Sequence, residues 1–209
     1  MGLKKERNLD IQPVATYERQ STRDYAGLLQ QLESSDPSKR RWGARDLANY
    51  PQAVDPLLGR ILVETEHPVR EAIFDSLQQI GGPAVVSGLI PLLRNEDAAV
   101  RNGAIEVLQA MPEDVAPHIV ELLNDSDSDV RIFAIDILQQ LAHPQTPQWL
   151  LSVLKDETHI NVIAAAVDRL AEVGTTDMLS ELKALKLRFP DESYLQFAIQ
   201  TAIDRIEGA

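Results

Sequence analysis

Asp97-Ala98-Ala99-Val100-Arg101, followed by Ala104 and Leu108, superimposes without a gap on Asp127-Ser128-Asp129-Val130-Arg131, followed by Ala134 and Leu138. The same frame fits Asp36-Pro37-Ser38-Lys39-Arg40 with Gly43 and Leu47, and Glu66-His67-Pro68-Val69-Arg70 with Ile73 and Leu77. The four arginines are spaced by 30, 31 and 30 residues, and a period in this range marks a repeat architecture. Two further units fit without the arginine, which makes six. Ile163 takes its place ahead of Ala166 and Leu170, and Leu195 ahead of Ala198 and Ala202.

Each unit carries two amphipathic stretches. Ile90, Leu92 and Leu93, or Ile119, Leu122 and Leu123, belong to the first; Ala104, Ile105, Val107, Leu108 and Met111 belong to the second. Apolar residues three and four apart share one helical face, so the spacing predicts about a dozen antiparallel helices. An Asp four residues before the arginine is placed to cap the second helix, and Pro37 directly after Asp36 suits a first helical turn. Gly81 and Gly174 fall just past second helices, where a left-handed closing residue is wanted. No alternating apolar run of useful length supports a strand. The fold class is therefore all-α, a solenoid in which each helix pair buries its apolar face only against its neighbours.

The bulk numbers agree. A chain of 209 residues, 44% hydrophobic and 25% charged, has the composition of an ordinary globular protein. Its formal net charge of −12 repels phosphate backbones and argues against a nucleic-acid partner. With no cysteine, disulfides, thiolate nucleophiles and Cys-based metal sites are excluded, and a cytoplasmic location is expected. Met1-Gly2-Leu3-Lys4-Lys5-Glu6 reads as neither a secretory leader nor an acylation signal. The longest apolar run, 162–167, is far below the ~18 residues of a membrane span. Residues 1–22 lie outside the repeats, carry a net charge of +1 and read as a flexible N-terminal arm, with the solenoid over 23–209.

The Asp-x-x-Val-Arg-x-x-Ala signature resembles HEAT repeats, in the short variety also found in bilin lyases, over roughly residues 23–208. The resemblance implies a right-handed α-solenoid of about six helix pairs whose second helices line the concave side. It also implies a scaffolding role more than a chemical one, in the style of accessory proteins of bacterial signalling pathways. Lys39 in place of valine, and the missing arginines of the last two units, are the departures expected of terminal caps.

Counting each arginine position as zero, +3, +4, +7 and +10 are apolar, so +1, +5 and +8 or +9 point the other way. Position +5 reads Arg45, Asp75, Glu106, Asp136 and Asp168, an acidic column. Trp42, Ile132 and Phe133 at +1 and +2 are apolar residues that the helical count leaves outside the core. Packed helices lie ~8–10 Å apart, too far for successive carboxylates to close on one metal at ~2.3–2.6 Å. A basic peptide, an arginine-rich helix or a positive protein patch suits the column better. The partner-binding candidates are thus Trp42, Asp75, Glu106, Ile132, Phe133, Asp136 and Asp168. The arginines Arg40, Arg70, Arg101 and Arg131 are read as structural, each beside a capping acid of its own or an adjacent unit.

Catalytic groupings are absent from the sequence. His67, His118, His143 and His159 are scattered one per unit, and His67 and His143 precede prolines as residues of turns or helix starts. There is no Gly-x-Ser-x-Gly elbow, Walker loop or Gly-x-Gly-x-x-Gly. Among enzymes sharing the implied architecture, deoxyhypusine hydroxylases need His-Glu pairs, and no His here precedes Glu; DNA glycosylases need a basic groove. The expected function is a non-enzymatic adaptor without cofactor or metal, holding a protein or peptide on its concave face. The alternative is a bilin (tetrapyrrole) lyase or chaperone-like subunit, which absorbance after incubation with free bilin would reveal.

Overall fold

The computed structural model describes residues 23–141 and 143–208; the arm expected over 1–22 lies outside them. Among the described residues there are twelve α-helices and no strand, in six pairs. The first helices are α1 (Tyr25–Leu32), α3 (Val54–Ile61), α5 (Pro83–Leu89), α7 (Pro112–Leu123), α9 (Thr146–Asp156) and α11 (Leu179–Arg188). They alternate with the second helices: α2 (Pro37–Leu47), α4 (His67–Ile80), α6 (Ala98–Gln109), α8 (Ser128–Gln140), α10 (Ile160–Val173) and α12 (Ser193–Gly208). Second helices pack on one another at every junction, and first helices meet less closely. The second helices thus form one continuous row, the row expected to line the concave side.

The core runs between the two rows. Its spine is position +7: Leu47, Leu77, Leu108, Leu138, Leu170 and Ala202 are all fully buried. Helix starts follow the local chemistry: Asp36, Asp97 and Asp127 each accept a hydrogen bond from the amide two residues on, at 2.9 Å. Glu66 and His159, at the same place in units two and five, make no such cap. Ile90, Leu92 and Leu93 lie in a 3₁₀ segment, Ile90–Arg94, continuing α5, because Pro91 offers no amide to the α-helical ladder.

Helix closure differs between the two glycines. Gly81 and Gly82 adopt φ of 64° and 84°, as a turn before Pro83 requires. Gly174 is extended, with φ −68° and ψ 157°, so the expected left-handed closure does not occur there. Glycine fits for another reason: a Cβ would stand 2.5 Å from the Leu170 carbonyl oxygen and 2.6 Å from Ile206 Cδ1.

Candidate functional site: the inner row and the arginine ladder

The +5 residues Arg45, Asp75, Glu106, Asp136 and Asp168 lie on α2, α4, α6, α8 and α10, so the fold strings them along the inner row. Asp75, Glu106 and Asp168 are exposed and Asp136 is half-buried. Among the described residues, none of the four carboxylates makes an ion pair. Burial pushes the Asp136 carboxyl above the usual aspartate range. Partial desolvation also raises Asp168, although the residue as a whole is exposed; Arg205 nearby opposes the rise and Glu172 adds to it. Gln109 at +8 is not free to reach a partner, since its Nε2 donates to the Asp136 carbonyl at 2.8 Å.

The three apolar candidates separate. Trp42 is 42% exposed, with the Arg45 guanidinium 5.7 Å from its ring centroid. Ile132 and Phe133 are half-buried against the core, and the Phe133 ring lies 5.9 Å from the Arg101 guanidinium. Both pack in part against the core and are less open than the helical count suggests. The +2 position faces the preceding unit: Gly103 at +2 of unit three sits against Phe74 of unit two. Unit one has no preceding unit among the described residues, which leaves Trp42 open.

At the other end of the second helices lies the arginine ladder. Each guanidinium turns back onto carbonyls of the loop preceding its own helix. Arg40 Nη1 donates to Ser34 and Ser35, Arg70 Nε to Glu64, Arg101 Nη1 to Asn95 and Glu96, and Arg131 Nη1 to Asp125 and Ser126. Three also reach forward to an acid of the next unit. Arg40 holds Glu64 bidentately at 2.7 and 2.8 Å, Arg131 holds Glu157 at 2.7 and 3.1 Å, and Arg70 meets Asp97 at 2.8 Å. Only Asp97 of these acids is a capping Asp, and Arg101 has no carboxylate partner among the described residues, so the expected Asp–Arg stack holds only in part.

The residues missed from sequence stand six before each arginine position: Ser34, Glu64, Asn95, Asp125 and Glu157. In each of these first five units this side chain accepts from the amide two residues on. Where it is glutamate, its length also brings it to the preceding arginine. Glu64 is 2% exposed and additionally accepts from Arg60 Nε at 2.9 Å and the Thr65 amide. Burial alone would raise its pKa, but hydrogen bonds from Arg40, the Glu66 amide and Arg60 outweigh it and hold the carboxyl at about 2. Unit five lacks the arginine, and Arg188 from α11 supplies the guanidinium instead, donating to the carbonyls of Leu154, Lys155 and Glu157.

The family model for HEAT repeats matches residues 25–109 and 116–203. The chain belongs to the HEAT-repeat family. No curated protein matches this HEAT-repeat chain. Among solved structures it is similar to an engineered protein at 20% identity, covering 87% of this chain and 95% of that one, with a TM-score of 0.41. A designed armadillo repeat protein in complex with the peptide (KR)4 is 20% identical, over 86% and 98% of the two chains, at a TM-score of 0.41. The CpcE–CpcF complex of phycocyanin lyase from a Nostoc species is 20% identical, over 98% and 100%, at 0.37. Among the described residues of the HEAT solenoid, no three acidic or histidine side chains gather as a metal ion requires, and no helix is long and apolar enough to cross a membrane.

Proposed function

We propose that this HEAT-repeat protein is a non-enzymatic scaffold that holds a basic segment of another protein along its inner row. The observation that carries the reading is the run of Asp75, Glu106, Asp136 and Asp168 at one position of four successive second helices, without ion pairs among the described residues. Four like charges on a shared wall repel one another, and an arriving cationic chain relieves that repulsion. Trp42, at the first-unit end, adds apolar contact area beside Arg45.

Reversing Asp75 and Glu106 to lysine and replacing Asp136 by asparagine is expected to weaken binding of a lysine- and arginine-rich peptide by on the order of tenfold or more at low salt. The salt dependence should flatten while far-UV circular dichroism stays constant. Unchanged affinity, read by fluorescence anisotropy at two salt concentrations, overturns the proposal.

Acidification offers a second readout. Because desolvation raises Asp136 and Asp168, both lose charge at a higher pH than an ordinary aspartate, so peptide affinity should fall ahead of ordinary carboxylate titration. Fold stability moves oppositely: these two groups contribute most below the unfolded aspartate pKa, and that contribution is lost as pH rises through their raised values. Anisotropy and thermal melts over the same pH series check both signs.

A further inference from the structure

The ladder is incomplete at one rung, the junction between the third and fourth pairs. Arg40 and Arg131 use Nε and Nη2 to grip a glutamate of the next unit. The same edge of Arg101 makes no hydrogen bond among the described residues, although its Nη1 is anchored to the Asn95 carbonyl like its counterparts. Where Glu64 and Glu157 stand, unit four has Asp125, whose Oδ1 is held by the Asp127 amide and whose Oδ2 is taken by Arg94. A pocket of about 390 Å³ has Leu93, Arg101 and Phe133 in its lining.

We propose that Arg101 is a docking point for a carboxylate supplied from outside the solenoid, filling the place a glutamate fills at the sister junctions. The open edge has two parallel donors, the arrangement that matches a carboxylate fork. The Arg101 guanidinium lies over the Phe133 ring, 5.9 Å from its centroid. Glu96, Asp127 and Asp129 also line the pocket and Arg94 is occupied by Asp125, so a free anion binds weakly. A carboxylate tethered to a molecule already engaged elsewhere gains from its effective concentration. The site lies five residues, more than one helical turn, from the +5 column, and it stands or falls apart from the basic-segment reading.

The test uses the full chain, uniformly ¹⁵N-labelled, and follows the Arg101 Nε–Hε resonance. Two probes, glutarate and an end-blocked Ala-Glu-Ala tripeptide, are each compared with sodium chloride at matched ionic strength. Saturable shifts of this resonance are expected, absent with chloride, and lost in Asp125→Glu, which restores the native rung and should raise the melting temperature. In Arg101→Lys the remaining spectrum should show no saturable change. A tripeptide that binds more tightly identifies a protein side chain as the source, and tighter glutarate identifies a small carboxylate; both support the site. No shift with either probe, or a shift that survives in Asp125→Glu, overturns it.

Discussion

Glu64→Ala is expected to cost about 3–5 kcal/mol, the usual penalty for breaking a buried ion pair by removing one partner. For a chain of this size that corresponds to a loss of roughly 10 °C in melting temperature. The side chain takes hydrogen bonds from Arg40, Arg60 and two backbone amides, and its removal strands the Arg40 guanidinium in a site where Arg40 is only 6% exposed. Glu157→Ala should cost less, because both members of its pair are more accessible, with side chains 15% and 8% exposed against 7% and 0%. The acid limb carries the same signature. With its pKa held at about 2, Glu64 contributes stability above the ordinary glutamate value and loses it as pH falls through about 2. Chemical denaturation of wild type and Glu64→Ala at neutral and acid pH measures this; a difference below about 1 kcal/mol at neutral pH would contradict a buried-pair penalty.

Phe74→Ala should lose about 3–4 kcal/mol, because the ring is nearly buried and fills the hollow over Gly103 at the junction of α4 and α6. The decisive companion is Gly103→Ala, whose effect should change sign with background. In the wild type a methyl at residue 103 would lie 2.2 Å from Phe74 Cε2, so the ring must move and the change destabilises by about 1–2 kcal/mol net. On the Phe74→Ala background the obstruction is gone, and the higher helix propensity of alanine should return up to about 1 kcal/mol. Equilibrium unfolding of the two single variants and the double variant closes the cycle. Additive effects would mean that the ring and the glycine do not share the space.

What could be read from the chain alone was whatever repeats within one helix. The +7 column is buried from Leu47 to Ala202, and the capping acids Asp36, Asp97 and Asp127 act as their spacing foretells. What escaped depends on neighbours. A helical count treats a second helix as a cylinder with one wet side, whereas in a stack both flanks are covered; Ile132 and Phe133 therefore pack although they lie off the apolar stripe. The acids of the ladder are hidden because the Asp four before the arginine has a repeating role of its own as a cap, while the residue six before it carries the contact at Glu64 and Glu157. That column was open to reading in the frame. Arg188 was not, since its partners stand 31 to 34 residues away and no spacing announces them.

Arg188 has a consequence for how the C-terminal end comes apart. A rung built from the repeat's own arginine travels with its unit, but the fifth loop is latched by a residue of the sixth pair. Peeling α11 and α12 away uncovers the carbonyls of Leu154 and Lys155 in the last turn of α9 and of Glu157 in the loop that follows, so the last two pairs are bound into a single cooperative segment. Fraying from that terminus is thereby postponed to a step twice the length of the structural period.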